Sequence, residues 1–365
     1  MMTRSRVQSV LLVILSVVVF TSGAAEANGP RWKLVEGADI GHASALADVT
    51  ATGPRDVWAV GYGCSSADRA GCPAAERWDG TRWQAVTLPR GGATRIEAVS
   101  AAGPDDVWLA GNGSTTWAAH WNGSGWTAYQ PFGASAEHSV NDVVAFEGRP
   151  WFTTGVRDRA LIVTWTAGGG FAVEYDSPGY LESITAYPPT GELWAVGTNG
   201  TRPLVVHGTG GGTTWAESPT PAHRSDFLAE VLQVGKDDVW AVGNEGLTPS
   251  AQRPLALHYD GRAWKRVPVP IAKGRLSGLA VDASGILWAS GVDFSRGKQV
   301  LFLQYKKGKW VPSYGPEIPL RAQRAHDPQT VTRTALVRVP GAKDLWAVAA
   351  AGGGDYEQHF ILRRR

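Results

Sequence analysis

Asp56-Val57-Trp58-Ala59-Val60-Gly61 returns, whole or in part, six more times along the chain. The copies are Asp106-Val107-Trp108-Leu109-Ala110-Gly111, Pro150-Trp151-Phe152-Thr153-Thr154-Gly155, Leu193-Trp194-Ala195-Val196-Gly197, Asp238-Val239-Trp240-Ala241-Val242-Gly243, Leu287-Trp288-Ala289-Ser290-Gly291 and Asp344-Leu345-Trp346-Ala347-Val348. Successive tryptophans stand 50, 43, 43, 46, 48 and 58 residues apart. A period of about 48 residues is the length of one four-stranded propeller blade, a unit that buries its two faces only by stacking on copies of itself.

Each unit reads as four strands. An apolar segment such as Leu46 to Thr52 or Ile96 to Ala101 runs into a Gly-Pro-Asp turn, of which Gly103-Pro104-Asp105 is one case, with proline presetting φ at the first central position. The tryptophan motif is then the second strand. A third strand ends in an aromatic, followed by an Asp-Gly or Asn-Gly signal and a fourth strand opening with Trp: Trp78-Asp79-Gly80 to Trp83, Trp121-Asn122-Gly123 to Trp126, Tyr259-Asp260-Gly261 to Trp264. These dipeptides predict two-residue hairpins. Segments of helical period are absent after residue 27.

The chain ends distinguish an open array from a ring. After Trp346 there is room for one more strand, Gln358 to Arg363, so the seventh unit lacks its fourth; Arg31-Trp32-Lys33-Leu34-Val35, ahead of the first unit, can supply it. Pairing the termini removes an exposed sheet edge. The expected fold is all-β: one seven-bladed β-propeller over residues 28–365, closed by pairing of the N- and C-terminal strands in the last blade. Sixteen of the 17 tryptophans fall at repeat positions and read as inter-blade packing. Trp117 breaks the register and aligns with Ala74, Leu161, Leu255 and Leu301, so it reads as core or, alternatively, as a sugar-stacking platform.

Arg4 and Arg6 precede an apolar run from Val10 to Phe20, and Ala25-Glu26-Ala27 follows as a small-x-small cleavage site. That pattern predicts a signal peptide over residues 1–27, too short in its apolar part for a membrane span, and hence a secreted, extracellular protein. Cys64 and Cys72, eight positions apart in an exported chain, are expected to form one disulfide. With 35 Lys+Arg against 33 Asp+Glu there is no basic excess, which excludes nucleic acid as the main partner. A hydrophobic fraction of 43% excludes disorder.

The Asp-Val-Trp-Ala-Val-Gly repeat resembles that of secreted bacterial propeller proteins of the actinomycete type, and it is loosely similar to kelch and galactose-oxidase-like propellers. The resemblance covers nearly all of residues 30–365. It implies the propeller fold and leaves the activity open, since propellers host enzymes, lectins and scaffolds alike. The chain departs from galactose oxidase in that its two cysteines are accounted for by each other. It departs from the sialidase Asp box as well, because Asp79-Gly80-Thr81-Arg82-Trp83 is one residue short and lacks the serine.

In a propeller, the loops entering the first strands share one face with those between the second and third strands, over the central channel. The entry segments hold His42, Arg95, His138, Tyr180, His223, Arg224, Arg275, His326 and Arg333. His42, Arg95, His138, Tyr180, Arg224, Arg275, Arg324 and His326 are the candidate ligand-binding residues. Asp48, Glu97, Asp142, Glu182 and Glu230 lie near the starts of first strands; pointing inward, they could hold a cation such as calcium or ordered water, or pair with the arginines. Neither a phosphate-binding glycine loop nor a Ser/His/Asp arrangement is visible, and no cofactor or metal is expected. From Trp310 to Thr334 the chain runs 24 residues where sister units use 12 to 14, so about ten residues are inserted into the seventh entry loop, and they are expected to overhang the channel mouth. These features predict a non-catalytic, monomeric binding propeller that recognises a glycan, cell-envelope component or extracellular protein through one face. The alternative is a polysaccharide hydrolase or lyase, with Glu97, His138 and Glu182 as acid/base groups.

Overall fold

Each repeat folds as one antiparallel four-stranded sheet, its strands succeeding one another in chain order outward from the channel. In the first blade these are Ala43–Gly53, Asp56–Cys64, Pro73–Trp78 and Trp83–Ala85. The computed structural model describes residues 31–64, 72–131, 138–166, 168–221, 223, 225–246, 248, 251–319, 330–352 and 357–365. The chain divides into units of residues 1–30 and 31–365, and the first, which carries the expected signal peptide, lies outside the described residues. Among the described residues the one helical element is a 3-10 turn at Phe294–Arg296, and no helix is long and apolar enough to cross a membrane.

The ring closes as expected. Trp32–Val35 pairs antiparallel with Ile361–Arg364 and completes the sheet built by Val331–Arg338, Leu345–Ala351 and Gln358–Arg364. Trp32 itself faces the sixth blade, stacked on Phe302 (centroids 3.8 Å apart) and edge-on to Trp288 (6.2 Å). The same joint recurs around the ring: Trp346 meets Trp78 and Trp83, Trp58 meets Trp121 and Trp126, Trp194 meets Tyr259 and Trp264, and Trp240 meets Tyr305 and Trp310. A motif tryptophan thus packs between the aromatics at the outer hairpin of the following blade, with burial worth a few kcal/mol per indole on area grounds. Trp117, 2% exposed, fills the interface of the first and second blades as a core residue.

The motif's acidic residue has its own partner. Two positions before the tryptophan, Asp56 accepts from Arg77 Nε (2.6 Å), Asp106 contacts His120 (2.9 Å), Glu192 faces His207 (3.5 Å) and Asp238 contacts His258 (2.8 Å). Each of these basic residues is the cross-strand neighbour of the motif tryptophan and lies over its ring: Arg77 at 4.6 Å, and His120, His207 and His258 at 4.4, 4.0 and 4.3 Å. Asp344, Arg363 and Trp346 repeat the arrangement in the seventh blade. Three of the eight histidines are therefore structural clasps.

The outer hairpins differ from the expected two-residue form. Trp78 pairs with Trp83, Trp121 with Trp126 and Tyr259 with Trp264, leaving four-residue loops. Asp79 Oδ1 accepts the backbone N–H groups of Thr81 and Arg82 (2.7 and 2.9 Å), and Asn122 and Asp260 do the same in their loops. A side chain that bridges to backbone two and three residues on can close a wider turn than a type I′ hairpin, and that is the stronger local signal here.

Candidate functional site

All seven inner strands carry a β-bulge, with Ala47, Glu97, Asn141, Glu182, Ala229 and Ser277 as the extra residue at one register in the first six blades and Thr332 two residues nearer the mouth in the seventh. A bulge breaks strict alternation, so two consecutive side chains per blade can turn toward the axis where a regular strand offers one. The motif glycine makes room for it. A Cβ on Gly61, Gly197, Gly243 or Gly291 would lie 1.9 to 2.1 Å from the carbonyl oxygen of Ala45, Tyr180, Phe227 or Arg275, two residues ahead of the bulge. In the third blade Thr154, rather than Gly155, sits opposite Val140 in the glycine's position and the bulge persists; in the seventh Ala349 takes that position opposite Thr334, and the bulge lies nearer the mouth, between Val331 and Arg333.

The resulting channel encloses about 290 Å³. The polar groups in it and at its mouth fall in three tiers by their register against the second strands: Arg95, Tyr180, Arg275 and Arg333 at the rim, Glu97, Asn141, Glu182 and Ser277 at the bulge of the first six blades, and Asp48, Asp142, Ser183 and Glu230 just after it.

The last tier stitches blade to blade. Asp48 accepts from its neighbour Val49 N (2.7 Å) and from Val99 N of the next blade (2.9 Å); Asp142 does the same with Val143 N and Ile184 N (2.7 and 2.8 Å). Ser183 donates to Glu230 (3.2 Å), and Ser277 donates to the Thr334 carbonyl (2.8 Å). Inner strands have no partner strand toward the axis, so these side chains satisfy backbone groups that would otherwise be orphaned. Burial pushes the carboxyls of Asp48, Asp142 and Glu230 upward; repulsion from Asp48 adds to the shift of Asp142, and repulsion from both adds to that of Glu230. Among the described residues no group of three or more His, Cys, Asp or Glu side chains is arranged to hold a metal ion.

The rim is organised around Glu97, 6% exposed. One of its oxygens accepts from Arg95 and from Asn112 Nδ2 (3.2 Å), the other from Arg333 Nη1 (3.3 Å). Asn112 also exchanges two hydrogen bonds with the Val140 backbone (2.7 and 2.8 Å), imitating a strand pair between the second and third blades. Tyr180 donates to Asn141 Oδ1 (2.8 Å), and Asn141 donates to the Leu181 carbonyl (2.6 Å). Burial, followed by the Glu182 charge, raises the Tyr180 phenol, which stays protonated. Burial likewise raises Glu182, with Arg333 opposing. Arg275 Nη2 donates to the Thr332 carbonyl. A second cavity of about 230 Å³ opens beside the channel and shares Ala47, Glu97 and Arg333 with it.

Of the residues expected from sequence, Arg95, Tyr180 and Arg275 meet at this rim. His42 is exposed ahead of the first inner strand, and His138 opens that of the third blade opposite Val156. Arg224, Arg324 and His326 lie outside the described residues, as does most of the long seventh entry loop. Sequence reasoning passed over Asn112, whose signal was its place directly after a motif glycine. It also saw no Ser/His/acid arrangement. The fold assembles one, with Ser44 Oγ 2.7 Å from His359 Nδ1, and His359 Nε2 3.2 Å from Glu76, whose other oxygen accepts from Ala38 N (2.6 Å). Ser44 is 3% and Glu76 0% exposed, and neither lines a cavity described above, so the triplet is a buried clasp between the seventh and first blades. On the rim's face, Cys64 and Cys72 form the expected disulfide, with Cα atoms 5.3 Å apart.

Fold and channel together define a seven-bladed propeller with a polar, charge-lined axis. No protein-family model and no characterised protein sequence matches the chain. Among solved structures it is similar to a catalytically inactive virginiamycin B lyase from Staphylococcus aureus with Quinupristin (15% identity, 91% of this chain and 99% of that one, TM-score 0.64). It is also similar to YCF48 bound to D1 peptide (15%, 93% and 96%, 0.57) and to the GH74 xyloglucanase from Xanthomonas campestris (15%, 90% and 55%, 0.61). At such identities the likeness establishes the fold alone.

Proposed function

We propose that this chain is a secreted, monomeric, non-catalytic binding propeller whose channel mouth takes a polar extracellular ligand such as a glycan or cell-envelope component. The observation that carries the reading is the set of partners of Glu97: it is held by the guanidiniums of Arg95 and Arg333 and by the Asn112 amide, with Tyr180 facing it and Arg275 facing Arg333 at the same rim. Such a carboxylate is an anchor for arginines and a poor proton carrier. Secretion rests on the Arg4 to Ala27 pattern. The neighbours' names include both binding and hydrolytic proteins, so the fold does not choose between the classes.

One feature favours the catalytic alternative. Glu182, raised by burial, shares Arg333 with Glu97, and two carboxyl groups gathered at one mouth are the pairing that glycoside cleavage uses. A glycan array run beside a reducing-sugar assay separates the two readings. Binding without product release is expected; release of reducing ends, abolished by Glu182→Gln, would establish the enzyme instead.

A further inference from the structure

Arg95, Tyr180 and Arg275 occupy equivalent positions in the second, fourth and sixth blades, yet the guanidiniums at the rim are not equally compensated. Arg95 and Arg333 share Glu97, and Arg333 also faces Asp48 and Glu182. Arg275 is half-buried, faces Arg333, and makes no ion pair among the described residues; of its five N–H donors one is used, on the Thr332 carbonyl. Burial first and the Arg333 charge second work against its protonated form. A guanidinium withdrawn from water beside another guanidinium is unfavourable until an anion joins them, and its planar fork matches a carboxylate.

We propose that Arg275 and Arg333 form a carboxylate-docking subsite at the channel mouth, and that the ligand is a glycan bearing uronic acids. The inference rests on the reading of the mouth as a binding site and names its ligand class. A sugar acid fits better than a peptide for two reasons. The neighbouring groups are hydroxyls and amides at close intervals, Tyr180, Asn141, Ser277 and Thr332, which suit a hydroxyl-rich chain. Among the described residues the exposed large hydrophobics are Val173 and Val311, both on outermost strands, so the described residues of the mouth include no exposed large apolar anchor for peptide side chains. The acids nearby do not bar an anion: Glu97 is neutralised by its two arginines, while Asp48, Asp142 and Glu230 lie a tier deeper and are pushed toward their neutral forms.

The test is calorimetric titration of the purified protein with trisaccharides of galacturonate, glucuronate and mannuronate, with their methyl esters, and with tetraalanine as a free peptide carboxylate. At least one uronate is expected to bind, its ester at least about tenfold more weakly, with affinity falling as salt rises. Arg275→Gln should weaken binding about tenfold, and Arg275→Lys, which keeps the charge and loses the fork, by an intermediate factor. The acid-against-ester comparison on the unaltered protein decides the matter even where a variant folds poorly. Equal binding of acid and ester, or no uronate binding, would overturn the inference; so would tetraalanine binding more tightly than every uronate. The wider reading survives those outcomes if a neutral glycan from the array binds and Tyr180→Ala abolishes it, and it falls with the inference if no extracellular ligand depends on the rim.

Discussion

Gly291 presses its backbone against the carbonyl of Arg275: a Cβ at that glycine would lie 2.1 Å from the Arg275 oxygen. The contact joins the repeat motif to the candidate site, because the second strand's glycine admits the first strand's bulge and the bulge sets where the rim side chain starts. Gly291→Ala is therefore expected to lower stability by roughly 1–3 kcal/mol through overpacking. Gly53→Ala, with no atom within 4 Å of the new methyl, should be near neutral. Urea melts of both variants check the contrast; equal effects would detach the motif from the bulge.

The acid–base clasps over the motif tryptophans should differ by burial. Asp56 and Arg77, with side chains 12% and 35% exposed, are better shielded than Asp238 and His258 at 49% and 27%. Asp56→Ala should cost roughly 2 kcal/mol and Asp238→Ala under about 1 kcal/mol. A reversed order in chemical denaturation would contradict the assignment.

Closure depends on Trp32. Replacing it with alanine removes the indole stacked on Phe302, for an expected loss of about 3–5 kcal/mol, and deleting residues 28–37 should destabilise the domain further by exposing the edge of Gln358–Arg364. Differential scanning calorimetry that finds an unchanged melting temperature for the deletion would refute the joint.

Stability should fall as pH rises from about 4, the ordinary carboxyl range, to about 8. Glu76 is raised by burial to about 7, and Asp48, Asp142, Glu182 and Glu230 are raised as well. A raised folded-state pKa gives stability that is full below the unfolded value and lost as pH climbs through the folded one. His359, lowered by burial to about 4, acts oppositely: its contribution is present above its ordinary value of 6.5 and lost as pH falls toward 4. The expected melting temperature peaks in mild acid and drops by several degrees by pH 8, and Glu76→Gln should shrink that drop. A flat profile from pH 6 to 8, or a variant that follows the parent throughout, would count against it.

The blade count, the closing strand, the disulfide partners and the placement of Arg95, Tyr180 and Arg275 at the starts of inner strands were legible in the chain, because a repeat exposes equivalent positions to comparison and terminal strands leave a countable gap. The hairpin loops were misjudged: Asp79 reaches across the turn to the Thr81 and Arg82 amides, a side-chain effect that the Asp-Gly dipeptide does not reveal. The Ser44, His359 and Glu76 clasp was invisible because its members come from opposite ends of the chain, with Ser44 and His359 315 residues apart.

Periodicity by itself determined that seven sheets must stack, since no single blade can bury both its faces. It determined little about charge at the axis. That a bulge recurs in every inner strand, that Asp48 and Asp142 turn to the next blade's amides, and that Arg275 faces Arg333 with no acid beside it among the described residues are consequences of ring closure. Closing the ring brings first strands from distant repeats around one narrow axis, where desolvation and like-charge proximity, properties of the assembled channel alone, set the chemistry of each side chain.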